Sequence, residues 1–172
     1  MAAVGHDRIT ADGKKFFAEI EKLKKLQVRV GYQRSKSKEN NAADLVDVAA
    51  WNELGTVHIP ARPFMRMSVD DNKEVINKMC ESALSSLNNG ATAEDILTKL
   101  GVMQKGLVRK KISDGEFVPN ADITIKGGWM RRKGGKAFYI KGKKSSRPLV
   151  GDTGMLHNSV QFIIEKKGGG KD

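Results

Sequence analysis

Apolar residues recur every three or four positions in four stretches of the chain, a spacing that places them on one face of a helix. We predict an amphipathic helix from Thr10 to Leu26 and a second helix from Ala42 to Leu54. The stretch from Phe64 to Leu87 carries one narrow apolar stripe and predicts the longest core helix. A fourth helix is predicted between Thr92 and Lys111. The pattern therefore indicates a fold that is rich in helix.

Glycine and proline set the end of the second helix and the start of the third. Gly55 stands where a left-handed residue ends a helix, because glycine adopts positive φ without a steric cost. Pro60 and Pro63 fix their own φ and push the preceding residues, Ile59 and Arg62, into extended conformations. Pro63 also suits the first position of the third helix, which needs no amide hydrogen bond.

The fourth helix has a clear start and a weaker second half. Thr92 and Asp95 resemble a capping box, in which two side chains satisfy free amide groups at a helix start. Gly101 and Gly106 lie inside the helix, and each costs up to ~1 kcal/mol relative to alanine. We therefore expect the helix to be less secure toward its carboxyl end.

Four short segments have the pattern or composition of β-strands. Gln27 to Tyr32 alternates apolar and polar residues, which predicts a strand with one buried face. Val160 to Lys166 is predicted as the last strand, after a turn and a short helical piece. Ile123 to Ile125 and Ala137 to Ile140 are predicted to pair as an extended hairpin with glycines and lysines at its tip. The expected architecture is several helices packed on a small, mainly antiparallel sheet.

The chain has 172 residues, a length that fits one domain able to bury about two thirds of its unfolded surface. We predict a single domain over residues 1–172, with a flexible polar loop at 33–41, a basic insertion at 126–147 and a disordered tail at 168–172. The start of the chain lacks the apolar core of a secretory signal, and no long apolar run follows. We therefore expect a reduced protein that is made in the cytoplasm and does not enter a membrane.

Positive charge is concentrated in one part of the chain. The sequence has 31 Lys and Arg against 20 Asp and Glu, a net charge of +11. No acidic residue lies between Ile123 and Gly151, where nine basic residues fall. They are Lys126, Arg131, Arg132, Lys133, Lys136, Lys141, Lys143, Lys144 and Arg147. Removing these nine leaves 22 basic against 20 acidic residues, so the remainder of the chain is close to neutral.

Composition leaves three interpretations of the basic segment open. Lysine and arginine interleaved with Trp129, Phe138 and Tyr139 could neutralise phosphates and stack on bases of nucleic acid. The segment could equally be a solvated loop, or it could meet a protein partner with an acidic rim, where complementary charge orients and speeds assembly.

One tripeptide suggests catalysis, but its context is wrong. Asp152, Thr153 and Gly154 match the motif of aspartic proteases, whose paired carboxylates activate water. Such enzymes place the motif after a buried strand, whereas here Gly151 precedes it, and the residues up to Asp172 are too few for the rest of that fold. We expect Asp152 or Thr153 to cap a short helix and Gly154 to ease the turn.

Other catalytic and ligand-binding chemistry has no support in the sequence. Cys80 is the only cysteine and is expected to be a packing residue of the long helix. His6, His58 and His157 are too scattered for a zinc site. The glycine pairs at 127–128 and 134–135 match neither a P-loop nor a dinucleotide fingerprint. We predict a protein that is not an enzyme and uses no metal or cofactor.

Two signatures carry a family resemblance. The first is Trp51-Asn52-Glu53-Leu54-Gly55-Thr56 followed by Ile59-Pro60-Ala61-Arg62-Pro63-Phe64-Met65-Arg66. The second is Pro148-Leu149 with Asp152-Thr153-Gly154-Met155-Leu156 and Ser159-Val160. In this order and spacing they resemble the tail-completion, or head-to-tail joining, proteins of tailed bacteriophages. The resemblance covers much of the chain from Val28 to Ile164, and the basic insertion between Gly127 and Arg147 departs from it.

The resemblance implies an α+β subunit of the virion that forms a homo-oligomeric ring, a hexamer, in the phage neck, after assembly in the host cytoplasm. Its implied partners are the connector or adaptor and the tail tube or terminator proteins, with contact to the passing genome DNA. Arg62 and Arg66 would face a neighbouring subunit, together with the nine basic residues. The implied structural signature is Glu53, Gly55, Pro60, Pro63, Phe64, Asp152, Thr153 and Gly154. The alternative function is nonspecific nucleic-acid binding through residues 126–147.

Overall fold

The computed structural model describes residues 9–34, 44–131, 133–142, 147–150 and 154–168. Among them it has seven helices and four strands, which confirms the predicted α+β class. The helices are α1 (Ala11–Lys25), α2 (Leu45–Leu54), α3 (Phe64–Asp70), α4 (Lys73–Asn88), α5 (Ala93–Asp114), α6 (Asp122–Lys126) and α7 (Met155–Asn158). The strands are β1 (Leu26–Gly31), β2 (Gly128–Arg131), β3 (Ala137–Ile140) and β4 (Gln161–Lys166). They form two small antiparallel sheets, β1 with β4 and β2 with β3.

The described residues group into two compact units, each made from separate stretches of chain. The first unit comprises residues 9–29, 72–103 and 162–168, and the second comprises those within 30–71 and 104–161. The single domain that the length of the chain predicts stays a prediction.

Capping groups hold the helices of the first unit. The Thr10 side chain accepts a hydrogen bond from the Gly13 amide at the start of α1 (3.1 Å). At the start of α5 the Thr92 amide and hydroxyl donate to the Asp95 carboxylate, and the Asp95 amide donates back to the Thr92 hydroxyl, as the sequence predicted. The Glu19 carboxylate accepts from the Ala93 amide (2.8 Å). The buried apolar residues of this unit are Leu87, Ala93, Ile96 and Leu97.

The second unit holds the larger core. Seven buried apolar residues form it: Ala49, Phe64, Val108, Ile112, Leu149, Leu156 and Val160. Phe64, the first residue of α3, is fully buried, and the Tyr32 ring packs edge-on against it. The Tyr32 hydroxyl donates to the Leu156 carbonyl (2.9 Å), and burial raises the pKa of this phenol. The second family signature therefore contributes directly to this core.

The long helix predicted from Phe64 to Leu87 is two helices. α3 ends at Asp70, a turn follows at Asp71 and Asn72, and α4 begins at Lys73. The apolar stripe spans the break, but the run of two aspartates and one asparagine is unfavourable inside a helix because these side chains compete for backbone hydrogen bonds. The longest helix is α5, with 22 residues.

The hairpin exists, but one of its predicted strands was wrong. Residues Ile123 to Ile125 lie in α6, where Asp122 is in the first turn and Gly127 ends the helix with φ +77°. The strand that pairs with β3 is β2, in the register Trp129 opposite Tyr139 and Met130 opposite Phe138. Three β-branched residues in a row suggested a strand, but the acidic residue before them and the glycine after them favour a short helix.

The other predicted elements agree with the structure to within a few residues. α1, α2 and the strands β1 and β4 occur where predicted, and α7 is the short helical piece before β4. The rest of the 33–41 loop after Arg34 and the tail after Gly168 lie outside the described residues, as do Arg132, Lys143, Lys144, Asp152 and Thr153. In the described part of the chain no helix is long and apolar enough to cross a membrane.

Candidate interaction site: a basic hairpin and its anchor

The first family signature forms a tight corner after α2. Gly55 ends the helix with φ +76°, and a Cβ at this position would lie 2.8 Å from the Ala61 amide nitrogen. The Thr56 amide donates to the Ile59 carbonyl (2.8 Å), and the Thr56 hydroxyl accepts from the Ile59 amide (3.0 Å). Glycine is therefore required here for both its backbone conformation and the close approach of the chain.

Glu53 caps the helix that follows the corner. Its two carboxylate oxygens accept hydrogen bonds from the amides of Met65 (2.8 Å) and Arg66 (3.0 Å) in the first turn of α3. A carboxylate at this position satisfies free amides and opposes the positive end of the helix dipole. Pro63 precedes α3 as its cap residue, one position earlier than predicted. This helix is consequently capped by a side chain from another element.

Arg62 is buried. The resemblance implied that this residue faces a neighbouring subunit, and that expectation was wrong. Only 3% of the residue is exposed. Its guanidinium donates to the carbonyl of Val118 (2.8 Å), the carbonyl of Pro119 (3.2 Å) and the side-chain oxygens of Asn52 (3.2 Å) and Asn120 (3.1 Å). Burial lowers the pKa of this guanidinium, which nevertheless stays charged. The planar fork of arginine explains the residue type, because several acceptors surround it.

These bonds gather both ends of the basic insertion. Arg62 holds residues 118–120, which lead into α6 and the hairpin, and the Asn120 amide group donates to the Pro148 carbonyl after the hairpin (3.4 Å). Arg147 donates to the Ser113 carbonyl at the end of α5 (3.1 Å). The insertion is thus rooted on the signature corner, and Arg147 serves at the root.

Two glycines cross at the base of the hairpin. A Cβ on Gly127 would lie 2.7 Å from the Gly142 amide nitrogen, and a Cβ on Gly142 would lie 2.6 Å from the Ile125 carbonyl oxygen. Larger residues would separate the two chain segments at this point. Above this crossing, β2 and β3 form a two-stranded ribbon, and residues 133–135 lie in the turn that precedes β3.

The hairpin exposes apolar side chains on both of its faces. Residues opposite each other in an antiparallel pair share one face, so Trp129 and Tyr139 lie on one side and Met130 and Phe138 on the other. The exposed fractions are 73% for Trp129 and 58% for Tyr139, whose rings meet edge-on at 5.6 Å. Met130 and Phe138 are exposed by 40% and 39%. Both faces of the ribbon therefore carry apolar side chains that are at least 39% exposed.

The basic residues around the ribbon differ in whether they form ion pairs or hydrogen bonds. Lys126 forms an ion pair with Asp122 one helical turn earlier (2.9 Å), which raises the pKa of Lys126 and lowers that of Asp122. Arg131 donates to the Gly135 carbonyl in the hairpin turn (3.1 Å). The other described members of the set are exposed, with no ion pair to any carboxylate in the described chain. They are Lys133, Lys136 and Lys141.

The described residues include Cys80 and Gly154 of the groups considered for catalysis, whereas Asp152 and Thr153 lie outside them. No group of three or more His, Cys, Asp or Glu residues among them could hold a metal ion. Cys80 is exposed on α4, so its predicted packing role was wrong. Gly154 starts α7 in a left-handed conformation with φ +60°. A cavity of about 710 Å³ in the first unit is lined by residues from α1 and from the segment joining α4 to α5, including Asp12, Lys15 and Glu19.

Sequence reasoning missed several residues of this site. Asn52 and Asn120 supply acceptors for the Arg62 guanidinium, Gly142 is half of the crossing, and Met130 is part of the second apolar face. Alternation along residues 128–131 was the available signal for Met130. Comparisons with protein-family models, with curated proteins and with solved structures find no match to the chain.

Proposed function

We propose that this chain is a structural virion protein of a tailed bacteriophage, a subunit of a neck ring that completes the tail or joins it to the head connector. The observation that carries the proposal is the hairpin, which exposes Trp129 and Tyr139 on one face and Met130 and Phe138 on the other. A ribbon of two strands is marginal in water by itself, so apolar side chains on both faces favour burial against a partner.

The anchor of the hairpin supports an assembly role. A subunit of a closed ring must present its contacts at a fixed angle, because small errors in angle accumulate around the ring. The Arg62 guanidinium ties the root of the ribbon to α2 through hydrogen bonds, and the Gly127–Gly142 crossing holds the two ends of the ribbon together through close backbone approach. Arg62, a residue of the first family signature, thus helps to position a contact surface.

The close approach of Gly127 and Gly142 allows a sharp test. Deleting residues 128–141 and joining these two glycines removes the ribbon while the root is kept. We expect the variant to fold, as measured by circular dichroism and thermal unfolding, but to stay monomeric and to leave phage heads unjoined to tails. Assembly of normal infectious particles from the deletion variant would contradict the proposal.

The second candidate is nonspecific nucleic-acid binding, favoured by the same exposed Trp129 and Tyr139 beside the three hairpin lysines that pair with no carboxylate in the described chain. Aromatic rings can stack on bases, and lysines that displace counterions make the affinity fall steeply with salt. Binding of duplex or single-stranded DNA by the purified chain, measured by fluorescence anisotropy between low and high salt, distinguishes the candidates. Tight, salt-sensitive binding by a monomer favours the second candidate, and ring formation without such binding favours the first.

A further inference from the structure

A second group of exposed apolar residues lies in the same unit as the hairpin. It consists of Trp51, Leu54 and Val57, at the end of α2 and in the corner after it, and we name it the α2 patch. Their exposed fractions are 43%, 72% and 96%. Val57 has almost no contact with the described chain, although its neighbours form the rigid corner around Gly55. The second unit therefore presents two exposed apolar surfaces, the hairpin and the α2 patch.

The two surfaces differ in charge. Residues 44–61 contain three acidic residues and no lysine or arginine, whereas residues 123–151 contain nine basic residues and no acidic one. α2 has no basic residue in its last turn, and the Arg62 guanidinium that bonds the Asn52 side chain there is buried. Arg34 pairs with Asp44 and Asp47, which places its charge at the opposite end of the helix from the patch.

We infer that the hairpin of one copy docks on the α2 patch of the next copy, and that this head-to-tail contact builds the ring. The inference rests on the proposed function. A hairpin meeting the hairpin of another copy would bring two strongly basic segments together, and like charges across an interface oppose association. A basic ribbon on a patch without lysine or arginine avoids this repulsion and brings two apolar surfaces together. Such a contact joins different surfaces, the geometry that generates rings.

Arg62 links the two surfaces within one subunit. Its guanidinium bonds the Asn52 side chain in α2 and the carbonyls of Val118 and Pro119 at the hairpin root. The backbone amide of Arg62 also donates to the Asn52 carbonyl (2.6 Å). The angle between the surface that a subunit offers and the surface that it receives is thus set through one buried side chain. Arg62 acts as a positioning residue for assembly.

A mixing experiment tests the inference with two full-length variants. The hairpin variant carries Trp129→Ser and Tyr139→Ser, and the patch variant carries Leu54→Lys and Val57→Lys, which repels the basic ribbon. All four positions are exposed, so substitution there is expected to leave the fold intact, as checked by thermal unfolding. A control variant, Leu84→Lys, changes a leucine on α4 that is 57% exposed.

We expect each variant alone to be monomeric in sedimentation velocity at concentrations where the unaltered chain forms rings. Mixed together, they retain one intact hairpin and one intact patch, so they should form a one-to-one dimer and no larger species. The Leu84→Lys control should assemble like the unaltered chain.

Several results would overturn the inference. Rings formed by the patch variant alone would exclude the α2 patch while leaving the proposed function in place. Absence of the mixed dimer would exclude the head-to-tail pairing, and loss of rings in the Leu84→Lys control would assign assembly to another face. If the unaltered chain stays monomeric at every concentration, the proposed function fails together with the inference.

Discussion

At the scale of single residues, the Arg62 guanidinium is a buried charge that depends on four hydrogen-bond acceptors. It is 3% exposed, and its acceptors are neutral carbonyl and amide oxygens of Val118, Pro119, Asn52 and Asn120. Substitution by methionine would leave these acceptors without donors, and each buried unsatisfied group costs about 1–3 kcal/mol, partly offset by relaxation. We predict that Arg62→Met lowers the free energy of unfolding in urea by about 3 kcal/mol.

The neighbouring arginine provides the matched control. Arg66 is exposed, and its bond to Glu53 uses the backbone amide, which a side-chain substitution keeps. Arg66→Met should therefore change the free energy of unfolding by no more than about 0.5 kcal/mol. Equal losses for the two variants would mean that the hydrogen bonds of Arg62 contribute nothing specific.

A second prediction concerns the two glycines inside α5. A Cβ at Gly101 would lie 2.7 Å from the Phe162 Cγ, whereas a Cβ at Gly106 meets nothing within 4 Å. Gly106→Ala should stabilise the protein by about 0.5–1 kcal/mol, because alanine loses less backbone freedom on folding. Gly101→Ala should destabilise it by about 1–3 kcal/mol through overpacking. Stabilisation by both substitutions in thermal unfolding would contradict the packing against Phe162.

The sequence predicted the roles of some single residues but not of others. It identified Gly55 as a helix end and the cost of Gly101 in a helix, because both follow from backbone preferences. It did not find that Glu53 caps α3 or that Arg62 is buried, since those roles depend on which distant groups the fold brings near. Arg62, read as a free surface charge, was the clearest error.

At the scale of elements, the two carboxylates that accept hydrogen bonds at the start of α5, from Glu19 of α1 and Asp95 of α5, predict a pH dependence of stability. The hydrogen bond from the Ala93 amide is the main reason that the pKa of Glu19 is below its ordinary value of 4.5. Bonds from Thr92 lower the pKa of Asp95 below 3.8. A carboxyl group with a lowered pKa in the folded state stabilises the protein above its ordinary pKa, and this contribution fades as the pH falls through the lowered value.

The matching variants are Glu19→Gln and Asp95→Asn. Each should be less stable than the unaltered chain at pH 6, because a neutral amide is a weaker acceptor for the backbone donors. The difference should shrink as the pH falls below about 4.5 and further below 3.8. Urea unfolding at several pH values measures this, and a difference that stays constant down to the lowest pH would contradict the assigned bonds.

Helix and strand periodicity predicted most elements but not two of their boundaries. The apolar spacing within 64–87 is the same before and after the break at Asp71 and Asn72. Apolar periodicity therefore did not reveal where the backbone stops being helical. Residues 123–125 are β-branched, yet they lie in α6 between Asp122 and Gly127. In both places the capping and breaking residues outweighed the apolar pattern.

At the scale of the whole molecule, the sequence shows how charge is distributed along the chain. It does not show which surfaces that charge surrounds. The absence of acidic residues between Ile123 and Gly151 is plain in the sequence, and so is the absence of basic ones between Asp44 and Ala61. Only the structure places an exposed apolar cluster within each segment. The assembly proposal combines these two observations.

The most direct measurement of the central claim is native mass spectrometry of the purified full-length chain, with electron microscopy of the same sample. We predict closed rings of one defined subunit number, and a folded monomer when residues 128–141 are deleted. A monomer for the unaltered chain at every concentration, or unchanged rings for the deletion variant, would contradict the assignment of assembly to the hairpin.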